Sequence, residues 1–146
     1  MIERRLFGIS AGLALAGLAA PVLAAGEREA VEAAYRAWND AFNKGDAKAL
    51  AAHYTENALL LPPTHDVAKG RAAIERFFDG VFKAGVTGHT LELIEAEGDQ
   101  RGVAAAARWA AKQRQGGGEQ ALSGTATHVF ERRPGGGLSL WLHAFN

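Results

Sequence analysis

The chain has 146 residues, no cysteine and a formal net charge of zero. A length of this order corresponds to one domain, and the absence of cysteine from the sequence excludes a disulfide-stabilised scaffold. A neutral chain lacks the basic field that attracts nucleic acid, so we expect no nucleic-acid partner. Hydrophobic residues make up 48% of the sequence, which is typical of an ordinary folded core.

The first two dozen residues have the layout of an export signal. Arg4 and Arg5 precede an apolar run from Leu6 to Leu23, and Ala24 supplies a small residue at the end of that run. This layout predicts a cleavable signal peptide over residues 1–24. An uncleaved membrane anchor is the alternative, since the run is just long enough to span a bilayer.

Several glycines and Pro21 within the apolar run favour cleavage over anchoring. The mature protein would then be a single domain over residues 25–146, periplasmic or secreted, without stable membrane association. Arg4-Arg5-Leu6-Phe7 also resembles a twin-arginine signal, and the general and twin-arginine export routes both remain open.

Apolar residues at spacings of three and four predict three amphipathic helices. The first helix includes Tyr35 and Trp38 in its apolar stripe and ends near Gly45, which can adopt the left-handed conformation after a helix. Asp46 is a suitable N-cap for a second helix that extends to about His53. A third helix begins at Gly70, and its apolar stripe consists of Ile74, Phe77, Phe78, Val81 and Phe82.

The remaining segments predict strands. A short apolar run over 58–61 stops at Pro62-Pro63, as a strand does. Glycine-rich turns then separate four hairpin-length segments. The alanine run over 104–107 favours helix by propensity, but its position between turns favours a strand. We therefore predict an α+β domain in which the helices pack on one concave face of four successive antiparallel strands. These strands cover His89–Glu97, Val103–Gln115, Ser123–Arg132 and Leu138–Asn146.

The segment from Trp38 to Phe78 places a helix, a Gly-Asp break, a short helix, an apolar strand and a glycine-capped helix in order. This order resembles the nuclear transport factor 2-like superfamily, in its SnoaL-like and ketosteroid isomerase-like branch. The resemblance implies a cone-shaped fold with one pocket, three N-terminal helices on a curved antiparallel sheet, and a homodimer formed through the sheet. The likeness extends over Tyr35 to Asn146 and is carried by Leu61-Pro62-Pro63, Lys69-Gly70-Arg71, Gly124 and Phe145-Asn146.

The isomerase branch of that superfamily uses a tyrosine and a buried aspartic acid to hold an oxyanion, and a carboxylate as base. On this chain, the resemblance places Trp38 at the tyrosine position, Pro62 at the base position and Ala126 at or near the aspartic acid. None of these side chains performs the required proton chemistry. The sequence therefore argues against isomerisation by that mechanism.

Two histidines on the late strands are the candidates for chemistry. Alternation puts His128 on one face with Ala126 and Phe130, and puts His143 on one face with Trp141 and Phe145. The register implied by the resemblance directs both sets into the pocket. Histidine transfers protons near neutral pH, so His128 and His143 are the tentative catalytic residues, although no partnering carboxylate is evident. Both could instead be half-buried histidines bonded to backbone carbonyls.

Two functions remain open from the sequence. The first is a protein that binds a small apolar molecule in its pocket, with possible low-specificity isomerase or hydrolase activity. The second is a noncatalytic homodimerisation or interaction module. The histidine spacing matches no metal motif and no loop matches a phosphate cradle, so we expect neither a metal nor another cofactor. The expected ligand-binding residues are Trp38, Tyr54, Phe78, Phe130, Trp141 and Phe145.

Overall fold

A computed structural model describes the backbone of residues 19–146 and the side chains from Gly26 onward. Most of the predicted signal peptide lies outside the described residues, and its cleavage stays a prediction. None of the helices in the described part is long and apolar enough to cross a membrane. In chain order the elements are α1 (Ala19–Asn43), α2 (Ala47–Ala51), β1 (Tyr54–Leu61), β2 (Ala68–Lys69), α3 (Arg71–Lys83), β3 (Val86–Gly98), β4 (Gly102–Gln115), β5 (Gly118–Arg132) and β6 (Leu138–Phe145).

The three predicted helices form, and their signals act as expected. Gly45 has a φ of 68° at the turn after α1, a conformation that a glycine adopts without steric cost. Asp46 caps α2, because its carboxylate accepts a hydrogen bond of 2.9 Å from the backbone N–H of Ala49. The second helix ends at Ala51 rather than near His53, since the chain turns there and enters β1 at Tyr54.

The sheet is curved and mixed, which corrects the prediction of a purely antiparallel sheet. Its strand order is β2-β1-β6-β5-β4-β3. The four late strands are antiparallel neighbours, as predicted, but β1 pairs with β6 in parallel. Apolar patterning identifies a strand without giving the direction of its partner. The long chain between β1 and β6 permits the crossover that a parallel pair needs.

Several predicted strands begin later than the observed ones, β3 by three residues and β5 by five, one short strand was missed, and one difficult choice was right. Strand β1 begins at Tyr54, four residues before the predicted apolar run over 58–61. Strand β2 pairs with Leu59 and Leu60 through only two residues, too few to show a pattern in sequence. The alanine run lies inside β4, where position between turns outweighs helical propensity.

The helices cover one face of the sheet and enclose the core. Helix α1 packs chiefly along β3, and α3 packs on α2, β1 and β2. The buried face of α1 contributes Tyr35 and Trp38, each less than 5% exposed. These two side chains reach the late strands, so the same helix supplies both core and site residues. Other large core residues are Val31, Phe42, Leu50, Tyr54, Leu60, Ile74, Phe78, Val103 and Phe130.

A β-bulge in β6 overturns the predicted position of Trp141. Val129 pairs with Leu142 and Phe130 pairs with Leu140, which leaves Trp141 as the extra residue. A bulge interrupts the two-residue alternation, so Trp141 leaves the face occupied by His143. Its side chain is 39% exposed. The expectation that Trp141 faces the pocket, which relied on uninterrupted alternation, is therefore wrong.

Candidate functional site

An apolar cavity lies between α1, α3 and the late strands, and we call it the pocket. Its volume is about 170 Å³. Among the described residues, the ionisable side chains in its wall are His89 and His143, and no carboxylate or ammonium group lines it. The other lining residues are Trp38, Phe42, Phe77, Phe78, Val81, Val86, Leu91, Trp109, Ala111, Leu122, Ala126 and Phe145.

A chain of buried hydrogen bonds orients His143 at the pocket wall. The indole N–H of Trp38 donates to the Tyr54 hydroxyl at 3.1 Å, and that hydroxyl lies 2.8 Å from Nδ1 of His143. Because the Tyr54 oxygen already accepts from Trp38, its own proton is best used as a donor to Nδ1. Neutral His143 then carries its proton on Nε2, which forms no hydrogen bond with any described residue. This nitrogen is available as a donor to a bound molecule.

His128 has a matching partner on the first helix. The Tyr35 hydroxyl lies 2.8 Å from Nδ1 of His128, and the two rings meet edge to face. His128 and His143 are paired across β5 and β6, with ring centroids 4.5 Å apart. The prediction that these histidines face each other across neighbouring strands is confirmed. Their partners in the structure are tyrosines rather than the backbone carbonyls considered as an alternative.

Burial holds these histidines in the neutral form. Desolvation lowers the pKa of His128 to about 3, with a smaller contribution from His89. The pKa of His143 is also lowered well below its usual value by burial, then by the neighbouring His128 and His89. Burial raises the pKa of Tyr35 and of Tyr54, so both hydroxyls stay protonated. The whole cluster is uncharged at neutral pH.

His89 is a third imidazole of the site, partly buried, and it is not among the site residues predicted from the sequence. Its Nδ1 lies 2.8 Å from Oδ1 of Asn39, and its ring is stacked parallel to that of Trp109. Burial lowers the pKa of His89 to about 4. Alternation along β3 places His89 on the same face as Leu91, and this could have signalled its position in the pocket.

The predicted site residues are only partly brought together. Trp38, Phe78, His143 and Phe145 line the pocket. Tyr54 lies behind the wall, fully buried, and acts through His143. Phe130 and His128 border a second cavity on the other side of Trp38, together with Tyr35, which sequence reasoning placed only in the apolar stripe of α1. Trp141 lines neither cavity.

The positions that matter for isomerase chemistry are occupied by inert side chains. Trp38 and Ala126 both line the pocket, and Pro62 follows the end of β1. Proline and alanine side chains carry no proton to transfer, and the Trp38 N–H is already committed to Tyr54. The structure therefore provides neither the carboxylate base nor the protonated acid of that mechanism at these positions.

The Gly124 and Phe145-Asn146 motifs form a clamp at the end of the sheet. The Asn146 side-chain oxygen accepts from the backbone N–H of Thr125 at 2.8 Å, and the Asn146 backbone oxygen accepts from the indole of Trp109 at 3.2 Å. Any Cβ on Gly124 would lie 2.9 Å from the Asn146 side-chain oxygen. Glycine is needed at this position because Asn146 crosses directly over it. The clamp fixes Trp109 in the pocket wall.

Described residues 26–146 contain no cluster of three metal-ligating side chains. The polar groups of the site are instead two tyrosines, two indoles and three neutral imidazoles. Such an arrangement can donate hydrogen bonds to a molecule in the pocket and can exclude charged molecules from it.

Comparison with known proteins agrees with this architecture. No curated protein sequence matches the chain. A nuclear transport factor 2-like protein with a cystatin-like fold from Novosphingobium aromaticivorans is 21% identical and superposes with a TM-score of 0.72, covering 92% of this chain and 90% of that one. A ketosteroid isomerase-like protein from Erwinia carotovora atroseptica is 20% identical, with a TM-score of 0.70 and coverages of 82% and 94%.

A third similar structure, from Catenulispora acidiphila, was solved in complex with S-DNPA. It is 18% identical, with a TM-score of 0.69 over 83% of this chain and 92% of that one. At these identities the likeness establishes the fold alone. The sequence model of the SnoaL-like domain matches residues 35–138, which is most of the chain. The protein therefore belongs to the SnoaL-like family of the nuclear transport factor 2-like superfamily.

Proposed function

We propose that this protein is an exported binding protein for a small, uncharged and largely apolar molecule held in the pocket. The observation that carries the proposal is the composition of the pocket wall. Aromatic and aliphatic side chains form nearly all of it, and its two histidines are kept neutral by burial. A charged ligand would lose its hydration there without gaining a counter-ion.

The size of the pocket limits the ligand to about one ring. A dry apolar cavity of about 150 Å³ in another protein accommodates benzene, and the volume here is about 170 Å³. The free Nε2–H of His143 would donate a hydrogen bond to one acceptor on the ligand. A single-ring ketone or a comparable molecule meets both requirements. The complex of the Catenulispora acidiphila neighbour with S-DNPA is consistent with small-molecule binding on this fold.

We propose binding rather than low-specificity isomerase or hydrolase catalysis. An efficient general base has a pKa near the working pH. Burial lowers the pKa of His128 to about 3 and lowers that of His143 well below its usual value, so both are weak bases. No carboxylate from the described part of the chain lines the pocket to raise either pKa. The tyrosine–histidine pairs act in this proposal as fixed hydrogen-bond donors.

Acetophenone and ethylbenzene provide the test, because they have similar shapes and only the ketone carries an acceptor. A pocket ligand raises the denaturation midpoint by mass action. We expect acetophenone to raise it more than ethylbenzene does. Replacing Ala126 by leucine fills the pocket and should abolish both shifts, whereas Ala34→Leu in the second cavity should preserve them. Equal shifts in wild type and Ala126→Leu would disprove binding in this pocket.

We also propose that the protein forms a homodimer through its sheet, which retains the interaction-module alternative as a second role. Two bulges each expose one large apolar side chain. Trp141 is the extra residue of β6, and Ile94 lies where the β3 ladder skips a pair between Leu93 and Glu95. They are 39% and 40% exposed. Exposed aromatic and aliphatic side chains of this kind are typical of interface cores.

A further inference from the structure

The second cavity has a different chemistry from the pocket. Its volume is about 380 Å³, within the range of small-molecule sites. It lies between α1 and the strands β5 and β6, and Trp38 and Leu91 separate it from the pocket. One wall is a row of alanines on α1, namely Ala30, Ala33, Ala34 and Ala37. The opposite wall contains Phe130, Leu138 and Leu140.

The described residues that line this cavity carry one positive charge, on Arg133, and no negative charge. Arg133 and His53 lie in its wall with Tyr35 and His128, and no carboxylate from residues 26–146 is part of that wall. Burial lowers the pKa of His53, and the positive charge of Arg133 lowers it further. His53 is therefore neutral at pH 7, and Arg133 supplies the charge. Within residues 26–146, Arg133 forms no salt bridge.

The turn after β5 determines where the Arg133 side chain lies. The Arg133 N–H donates to the Gly137 carbonyl at 3.0 Å, which closes the turn. The guanidinium lies against the Cα of Gly137, because a Cβ built there would be 2.9 Å from Nη2 and 3.3 Å from Nε. A side chain at position 137 would occupy this space. The guanidinium therefore lies beside the cavity and remains accessible to solvent.

We propose that the second cavity binds a small organic monocarboxylate. The carboxylate would pair with the Arg133 guanidinium at the exposed end, and the hydrocarbon part would pack on the alanine face of α1. A guanidinium matches a carboxylate in geometry and charge. The apolar interior and the single cation disfavour multiply charged anions such as phosphate esters. This site is separate from the pocket and would bind an anionic ligand, whereas the pocket would bind an uncharged one.

Hexanoate is the probe, and 1-hexanol is the uncharged comparison of similar length. Calorimetric titration at pH 7 should detect hexanoate binding to the wild-type protein. We expect the affinity for 1-hexanol to be lower by a factor of about ten or more. Arg133→Gln should lower the affinity for hexanoate about tenfold and leave the affinity for 1-hexanol unchanged. Arg133 is exposed, so this variant should fold normally. Arg101→Gln is the matched control, since Arg101 is also exposed and lines neither cavity.

Two cavity-filling variants assign the binding to one cavity. Ala34→Leu should remove hexanoate binding, and Ala126→Leu in the pocket should leave it intact. The proposal is overturned if hexanoate does not bind, if Arg133→Gln binds it as tightly as the wild type does, or if Ala126→Leu abolishes it. Failure of the hexanoate test would leave the proposed function of the pocket untouched, because acetophenone is uncharged and is assigned to the pocket.

Discussion

The imidazoles of His128 and His143 lie with ring centroids 4.5 Å apart, paired across two neighbouring strands and buried from solvent. Two positive charges at this separation in a buried site would repel each other strongly. This repulsion disfavours protonation of both rings together, and burial lowers the pKa of each ring on its own. Each ring is instead held by a tyrosine hydroxyl 2.8 Å from its Nδ1.

We predict that the protein loses stability in mild acid. The pKa values of His89, His128 and His143 are strongly lowered in the folded state, so the unfolded chain binds three protons that the folded chain does not, and the lowered pKa of His53 adds a smaller uptake in the same direction. The contribution of these neutral histidines to the free energy of unfolding is fully present above the unfolded pKa of about 6.5 and is lost as the pH falls. Between pH 6.5 and about 4, the free energy of unfolding should decrease by up to about 4 kcal/mol per pH unit. Urea denaturation at several pH values measures this slope.

Substitution can show whether the buried histidines cause the pH dependence of the free energy of unfolding. His128→Gln should reduce it by about 1.4 kcal/mol per pH unit, because one proton fewer is taken up on unfolding. His65→Asn is the matched control, since His65 is exposed and has a φ of 68° that asparagine tolerates. An unchanged slope in His128→Gln would contradict the assignment.

Tyr54→Phe should destabilise the protein more than Tyr35→Phe. The Tyr54 hydroxyl joins two buried groups, the indole N–H of Trp38 and Nδ1 of His143, whereas the Tyr35 hydroxyl forms one hydrogen bond within the described residues, to Nδ1 of His128. We expect losses of about 2–4 kcal/mol and about 1–2 kcal/mol, respectively. Chemical denaturation at pH 7.5 measures both values. Equal losses would show that Trp38 and His143 find other partners after Tyr54 is replaced.

The clamp at the sheet end predicts an intolerance to alanine at position 124. Gly124→Ala would place a methyl group 2.7 Å from the Trp109 indole nitrogen, so Asn146 and Trp109 must move. We expect a destabilisation of about 1–3 kcal/mol and a change in tryptophan fluorescence. Gly117→Ala is the control, because no atom lies within 4 Å of a Cβ built at Gly117. Similar free energies of unfolding for the two variants would contradict the claim that the clamp requires glycine at position 124.

The homodimer proposal predicts that both bulge residues contribute to association. Replacing Trp141 and Ile94 together by serine should yield a monomer by light scattering, because their apolar surface drives the contact. Val67→Ser is the control, since Val67 is 58% exposed but lies outside the strands. A wild-type monomer at high concentration, or a dimer that survives the double substitution, would contradict the proposal.

Sequence patterning was sufficient for the histidine pair but not for all of its surroundings. Two-residue alternation along β5 placed His128 beside Phe130 and Ala126 on the buried face, and the structure agrees. The same rule failed for Trp141, because a bulge is a local backbone event without an apolar pattern of its own. Tyr35 belonged to the correct helical stripe, but a stripe does not reveal which strand residue each side chain meets.

The parallel pairing of β1 with β6 has a consequence for how the chain assembles. Strand β6 occupies the centre of the sheet, between β1 and β5, although it is the last strand in sequence. Strands β1 and β2 pair with each other, but β6 (Leu138–Phe145) is what joins them to the strands β5, β4 and β3. Pairings between such distant segments form slowly, because the intervening chain must first be ordered. We expect the domain to complete its fold only after the whole chain has been synthesised.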